Sequence, residues 1–450
     1  MGSDGLTSFL FSTPEMASVF SPRAQLRAMT RFEWALSSAL EANGLAEPGS
    51  AAALEKFLNA DFVDLAFLVK EARDAGNIAI PFVRQLTAAV RSQSESAARF
   101  VHLGATSQDV VDSALVLQMK EGLHLLEGAL TRLDVSLVER VRRHRDTLML
   151  GRTWLQAGPP VTFGLKLAGV LAALRRDRQR LLQEKERVLV LQFGGAVGTL
   201  ASLGFSGGVV SAKVAQLLDL AEPELPWHAQ RDRLAAILQS LALVTGTLAK
   251  FGRDIALLMQ SEVGEVSEGG AEGHGGSSTM PHKRNPVGCA AFIAIHAKMP
   301  GLSATMLHAM QQEHERGLGL WQAEWEAIPE AFRLTSAAIS YAAEVIEGLK
   351  VDPDRMRANI DATQGLPLAE AVSSALTSKI GRIEAHEVLR KAVDQAVTAK
   401  RPLSDVLKEI PDVKTHLNNA EIDGLLDARN YLGSAQRFIS RVLGEDDADG

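Results

Sequence analysis

The densest concentration of chemistry in the chain is the run Gly275-Gly276-Ser277-Ser278-Thr279-Met280-Pro281-His282-Lys283-Arg284-Asn285-Pro286. Its approach, Glu268 to Gly276, has five glycines in nine residues. Such a backbone loses much entropy on ordering and is not core material. Pro281 and Pro286 stiffen the exit. A Gly/Ser run alone reads as a solvated linker. Two hydroxyls set beside Lys283, Arg284 and Asn285 favour instead a lid that closes over an anionic substrate. A serine hydroxyl exchanges protons with carbon only where positive charge or N–H donors stabilise its alkoxide. The exposed-looking pair Gln230-Arg231 is a weaker candidate, because such pairs are ordinarily surface. Gln192 to Thr199 is glycine-rich, but it lacks a GxGxxG spacing and a preceding strand, so it reads as a close-approach turn, not a phosphate cradle.

The elements that must hold these residues read as helices. Ser21-Pro22 opens one as N-cap and first turn, Leu26, Met29, Phe32, Leu36 and Leu40 give its apolar face, and Asn43-Gly44 ends it. Helical patterns follow over 51–74, broken near Asn59, and over 81–93, whereas residues 1–20 read as irregular. From Gln108 the helices become very long. Val111, Leu115, Leu123, Leu126, Leu130, Leu133, Leu137 and Val141 form one stripe, and further long helices are expected over 162–191, 230–263, 288–312 and 320–348. Helices of that length with apolar stripes must pack lengthwise, and the stripes are not strict heptads. Strand signals are nearly absent. Beyond Asp361 shorter helices are broken by Pro402 and Pro411, and the tail from Gly444 is expected to fray. The expectation is an all-α chain of three helical domains, 1–110, 111–365 and 366–450.

Composition narrows the class. Apolar residues make up 46% and charged residues 22% of the 450-residue chain, an ordinary globular balance. The net charge of −7 argues against nucleic acid and against an anionic membrane surface as partners. Cys289 is the only cysteine, so an intrachain disulfide and a cysteine-based metal site are excluded. The first twenty residues lack the basic start and apolar core of a signal peptide, and no stretch reads as a span of about 20 apolar residues. A cytoplasmic location is expected.

Three blocks carry a resemblance. The loop Gly276 to Pro286 resembles the signature of the fumarase/aspartase superfamily. Gly104-Ala105-Thr106-Ser107-Gln108-Asp109-Val110 resembles its first block, and Gly151-Arg152-Thr153-Trp154-Leu155-Gln156 its second. They stand in the family's order across more than 170 residues. The resemblance implies a central long-helix bundle, a homotetramer with active sites where three chains meet, and no metal or organic cofactor. It implies that Ser277, with Ser278 as the alternative, exchanges a proton with carbon beside a carboxylate, while Lys283 and Asn285 hold the resulting dianion. It makes Thr106 and Ser107 donors to substrate carboxylates and gives His102 a catalytic place, although a lone histidine is more often structural. Arg316 resembles the arginine that follows the fourth bundle helix in adenylosuccinate lyases, and its fork suits a carboxylate.

The departures are as informative. Family lyases carry a histidine where Trp154 stands and pair it with a glutamate where Ala290 stands. Losing one partner would strand a charge, whereas losing both is a consistent redesign. An amine leaving group (pKa about 10) must be protonated to depart, whereas a carboxylate (pKa about 4) needs no proton. Leu10-Phe11 replaces an Arg-Tyr pair that nucleotide-handling members use near phosphate, and Trp321 and Trp325 stand where polar residues serve a nucleotide. A reaction whose nucleophile or leaving group is a carboxylate is therefore expected, and the branch of the family that the whole chain most resembles implies a lactonising one. A carboxylate of a small tricarboxylate adds internally across a double bond and the neighbouring carbon is protonated, in aromatic-acid breakdown. Trp154 and Gln230 join the expected substrate contacts. The alternatives are a lyase releasing fumarate and a catalytically silent structural homologue.

Overall fold

The computed structural model describes residues 7–270, 274–280 and 282–445. Residues 1–6, residues 271–273 of the glycine arm, Pro281 and the end of the acidic tail lie outside the described residues. The fold is all-α, with a central set of long helices of the fumarase type. The first, α1, is Pro22–Ala42, started by the Ser21 hydroxyl, which accepts the Ala24 N–H at 3.2 Å. It ends where the Asn43 side chain donates to the Ala39 carbonyl and Gly44 turns to φ +71°. Within the segment expected to be irregular, Pro14–Val19 is helical, because Thr13 caps it and Met16 and Val19 are buried.

The long helices follow the apolar stripes. They are α2 (Ser107–Arg143), α3 (Phe163–Val188), α4 (Asp232–Leu258), α5 (Val287–Ala309) and α6 (Leu320–Gly348). All eight expected stripe residues of α2, from Val111 to Val141, are buried. At 37 residues, α2 extends roughly 55 Å at about 1.5 Å per residue.

Two sequence expectations need correcting. The segment after α2 is a β-hairpin, β1 (Leu148–Thr153) paired antiparallel with β2 (Gln156–Thr162). Gly151, Gly158, Pro159 and Pro160 hide the alternation, and a bulge falls between Leu150 and Gly151. A two-residue pairing of β3 (Val266–Ser267) with β4 (Lys350–Val351) completes the sheet structure of the described residues. Second, α4 and α5 are long and apolar enough, by composition, to span a membrane; 61% of the most apolar stretch of α4 is buried within the protein, as for a core helix.

The chain divides into two compact units. One comprises Met1–Leu130, Arg176–Gly246 and Ala291–Ser340; the other comprises Thr131–Arg175, Thr247–Ala290 and Tyr341–Gly450. The second contains a separate apolar core in its C-terminal part, built from Val372, Leu376, Leu389, Leu403, Leu407, Val413 and Ile422 with their neighbours.

Candidate active site

In the first unit, the first block is a tight turn feeding the N-terminus of α2. His102 has φ +63° and Gly104 φ +82°, and a β-carbon on Gly104 would lie 2.7 Å from the Leu203 side chain. Glycine at 104 is thus set by both its dihedral and its neighbour. Asp109, at the third helical position, accepts the Thr106 N–H at 2.9 Å, half of a capping box. Its wholly buried carboxylate takes four more donors. These are Gly194 N (3.0 Å), Gly195 N (2.9 Å), Gln192 Nε2 (3.0 Å) and His228 Nε2 (2.7 Å). The glycine-rich turn therefore does cradle an anion, but the anion is a side chain of the same chain. Gly194 also packs so closely that a β-carbon would lie 2.6 Å from Pro226.

With its backbone fixed by Asp109, Thr106 presents its hydroxyl to Arg316, whose Nη1 donates to it at 2.7 Å. Arg316 Nε reaches Gln108 Oε1 at 3.4 Å, and its second terminal nitrogen has no partner among the described residues. Thr106, Ser107 and Arg316 are half-buried, so an arginine fork and a helix N-terminus are held together at an accessible place. A carboxylate fits both. Gln230 is exposed and makes no side-chain hydrogen bond among the described residues.

His102 does not stand alone. Its Nδ1 is 2.5 Å from Oε1 of Glu33, a residue of α1 whose side chain is fully buried. Burial opposes the imidazolium, but the charge and hydrogen bond of Glu33, with Asp109 beyond, outweigh it and raise the His102 pKa above the usual imidazole value.

Arg231 corrects the sequence reading. It is 1% exposed, not a surface residue. Its guanidinium bonds Asp112 at 2.7 and 3.1 Å and Glu324 at 3.0 and 2.5 Å, and stacks over Trp227 at 4.9 Å. Trp321 Nε1 donates to Asp112 at 3.0 Å and meets Trp325 edge to face at 4.9 Å. Trp321 is thus core and part of a buried ionic cluster. Burial holds the Glu324 carboxyl above its usual range, with Arg231 opposing.

In the second unit, the signature loop is pinned at its ends. Asn285 donates its backbone N–H (2.7 Å) and its side-chain amide (3.0 Å) to the Gly275 carbonyl. Gly276 pairs with Arg284. Glu268 accepts Gly288 N at 3.0 Å and Cys289 N at 2.8 Å, closing the first turn of α5. Between these anchors, the Ser277 Oγ receives the N–H groups of Thr279 (3.3 Å) and Met280 (3.1 Å). Ser278, His282, Lys283 and Arg284 are exposed, and the Lys283 ammonium has no partner among the described residues.

The second block occupies the hairpin. Arg152 makes a two-pronged bond to the buried Glu265 at 3.0 and 2.6 Å, which Asn359 also holds at 2.8 Å. Trp154 and Leu155 form the turn itself, at φ +52° and +62°, and are 97% and 76% exposed. Each such dihedral costs a non-glycine residue about 1–2 kcal/mol, and a hairpin turn of this kind ordinarily takes Asn-Gly. Trp154 is therefore almost wholly uncovered by the rest of this chain. Ala290, also exposed, lies in the first turn of α5.

Among the described residues no cluster of three His, Cys, Asp or Glu could hold a metal. Sequence reasoning missed Asp109, Glu33 and Glu268. Glu33 had left a visible signal, a carboxylate set on the apolar stripe between Met29 and Leu36.

Comparison with known proteins agrees with this architecture. A family model described as "Lyase" matches residues 10–301, and one described as "Adenylosuccinate lyase C-terminus" matches residues 365–442. The chain belongs to the fumarase/aspartase superfamily of lyases. It is 50% identical to the 3-carboxy-cis,cis-muconate cycloisomerase of Pseudomonas aeruginosa, covering 98% of this chain and 96% of that protein. It is 48% identical to the enzyme of the same name from Pseudomonas putida, over 92% and 98%. The crystal structure of the 3-carboxy-cis,cis-muconate lactonizing enzyme from Pseudomonas putida aligns with a TM-score of 0.92 at 47% identity, over 97% of each chain.

Proposed function

We infer that the chain is an enzyme that converts 3-carboxy-cis,cis-muconate to carboxymuconolactone, a step of protocatechuate breakdown. The observation that carries this reading is the full-length match at 50% identity to a cycloisomerase of that specificity. The paired replacement by Trp154 and Ala290 supplies the chemical reason: a carboxylate nucleophile needs no acid–base histidine.

In the proposed mechanism, one substrate carboxylate attacks the double bond and the electrons move onto the carboxylate beyond the adjacent carbon, giving a dianion. Ser277 then delivers its proton to that carbon, Ser278 being the alternative donor. The alkoxide left on Ser277 faces the N–H groups of Thr279 and Met280, an arrangement that supports this role. Lys283 and the remaining amide hydrogen of Asn285 hold the dianion. Thr106, Ser107 and Arg316 take a substrate carboxylate, His102 adds a cation beside them, Gln230 lies at the rim, and Trp154 fills the place of the absent imidazole.

The same proposal includes a homotetramer in the cytoplasm, with the hairpin tip of one chain reaching the site of another. The exposure of Trp154 and Leu155 supports that part. It also includes three helical domains bounded near residues 110 and 365; the separate family match at 365–442 supports the second boundary.

The test is to mix purified protein with 3-carboxy-cis,cis-muconate and follow loss of the diene absorbance. Rapid loss with lactone formation supports the reading. No change would discard it, and fumarate release from adenylosuccinate would favour an elimination lyase instead.

A further inference from the structure

Glu33 is out of place by the ordinary rules of burial. It lies on the face of α1 that also carries Met29, Phe32 and Leu36, all fully buried, and is itself 1% exposed. A carboxylate there is costly unless it is bonded on all sides. Only Oε1 is bonded, to His102; Oε2 has no partner among the described residues. A carboxylate serving stability alone would have both oxygens satisfied, or would be replaced by an apolar residue of similar volume.

His102 is built to match. Its backbone is held at φ +63°, an uncommon conformation for any residue but glycine. The side chain keeps 19% of its surface open whereas that of Glu33 keeps none. With Nδ1 on Glu33, Nε2 is the free end, and it has no partner among the described residues. The turn that carries His102 runs four residues on into Thr106, which receives Arg316.

We propose that Glu33 is a positioning residue for the reaction: it fixes the direction of the His102 ring and supplies the counter-charge for its imidazolium, so that the opposite ring edge offers Nε2–H, with positive charge, to a carboxylate of the substrate. The proposal rests on the lactonising reading for the identity of that substrate. Histidines so oriented by a buried carboxylate have one nitrogen committed and the other available. The charged groups facing His102 are Glu33 from α1 and Asp109 from α2. Both favour the imidazolium, so the charge is present below the raised pKa and is lost as pH rises through it.

The test is Glu33→Gln, which keeps the shape and an acceptor for Nδ1–H but removes the charge. Three readouts are combined. The alkaline limb of kcat/KM should move to lower pH by about one unit. KM for 3-carboxy-cis,cis-muconate should rise about tenfold with kcat changed less. The NMR titration midpoint of His102 should fall in the variant. Where Glu33→Gln folds, the pair His102→Gln and Glu33→Gln/His102→Gln adds a second test: the double variant should be no slower than His102→Gln, because Glu33 acts only through His102. If Glu33→Gln folds poorly, Glu33→Asp decides: it keeps the charge but withdraws it from Nδ1, so the KM for 3-carboxy-cis,cis-muconate should rise and the His102 midpoint should fall, and wild-type values for both would overturn the proposal. An unmoved midpoint and pH limb, or additive losses, would overturn the proposal. A wild-type protein without turnover would count against the lactonising reading alone, since the His102 midpoint still reports on Glu33.

Discussion

The two loops that carry the site chemistry are built in opposite ways. The turn from His102 to Asp109 is anchored by a wholly buried carboxylate with five donors, from Thr106, Gln192, Gly194, Gly195 and His228. Among its described residues, the loop from Gly275 to Asn285 is tied to itself by local bonds at its ends and around Ser277, and most of its side chains between the ends are exposed. On the proposed reading, the first is a preorganised receptor for carboxylates and the second brings a hydroxyl and cations to the reaction. This division suits the chemistry: recognition gains from preorganisation, whereas admitting substrate requires something that opens.

The contrast predicts unequal responses. Asp109→Ala strands several buried donors and should lower stability by about 3–5 kcal/mol, read as a large drop in denaturant midpoint. Asn285→Ala breaks one loop-closing bond and should cost about 1 kcal/mol or less. Equal losses would erase the distinction. Amide exchange should show the same ordering: the N–H groups of Gly194 and Gly195 should exchange orders of magnitude more slowly than those of Thr279 and Met280, and comparable rates would erase the contrast. Arg316→Lys replaces a fork by a point charge and should forfeit about 1.5 kcal/mol of substrate binding, hence about a tenfold rise in KM. A fall in kcat with KM unchanged would move Arg316 out of the receptor.

The smallest effect is expected away from both loops. His144 packs edge to face on Phe163, its Nε2 is unpartnered among the described residues, and burial lowers its pKa to about 4. A histidine neutral in the folded state contributes stability above its unfolded value near 6.5 and loses it as pH falls toward 4. His144→Gln should flatten the stability profile in that window while leaving turnover at pH 7.5 unchanged.

What could be read from the sequence follows the range of the forces involved. The long helices were legible because an apolar stripe is a local pattern, and α6 begins and ends where its stripe does. The hairpin was not, because Gly151, Gly158 and two prolines break the alternation that marks a strand. The blocks around Thr106 and Ser277 were legible as compact polar runs. Arg231 was misread because a charged residue is surface by default, and its partners, Asp112 and Glu324, lie 119 and 93 residues away. Asp109 was missed, because four of its five donors come from loops that only the folded chain brings near. Glu33 could have been noticed as a charge on an apolar stripe; its meaning needed His102 beside it.

The central claim is that the hydroxyl of Ser277, held under two backbone N–H groups, supplies the proton that completes the lactone. The direct measurement is turnover of 3-carboxy-cis,cis-muconate by Ser277→Ala beside its melting temperature. The account predicts a loss of about 10²–10⁴-fold in kcat with melting essentially unchanged. Turnover at the wild-type rate from a folded Ser277→Ala protein would contradict it.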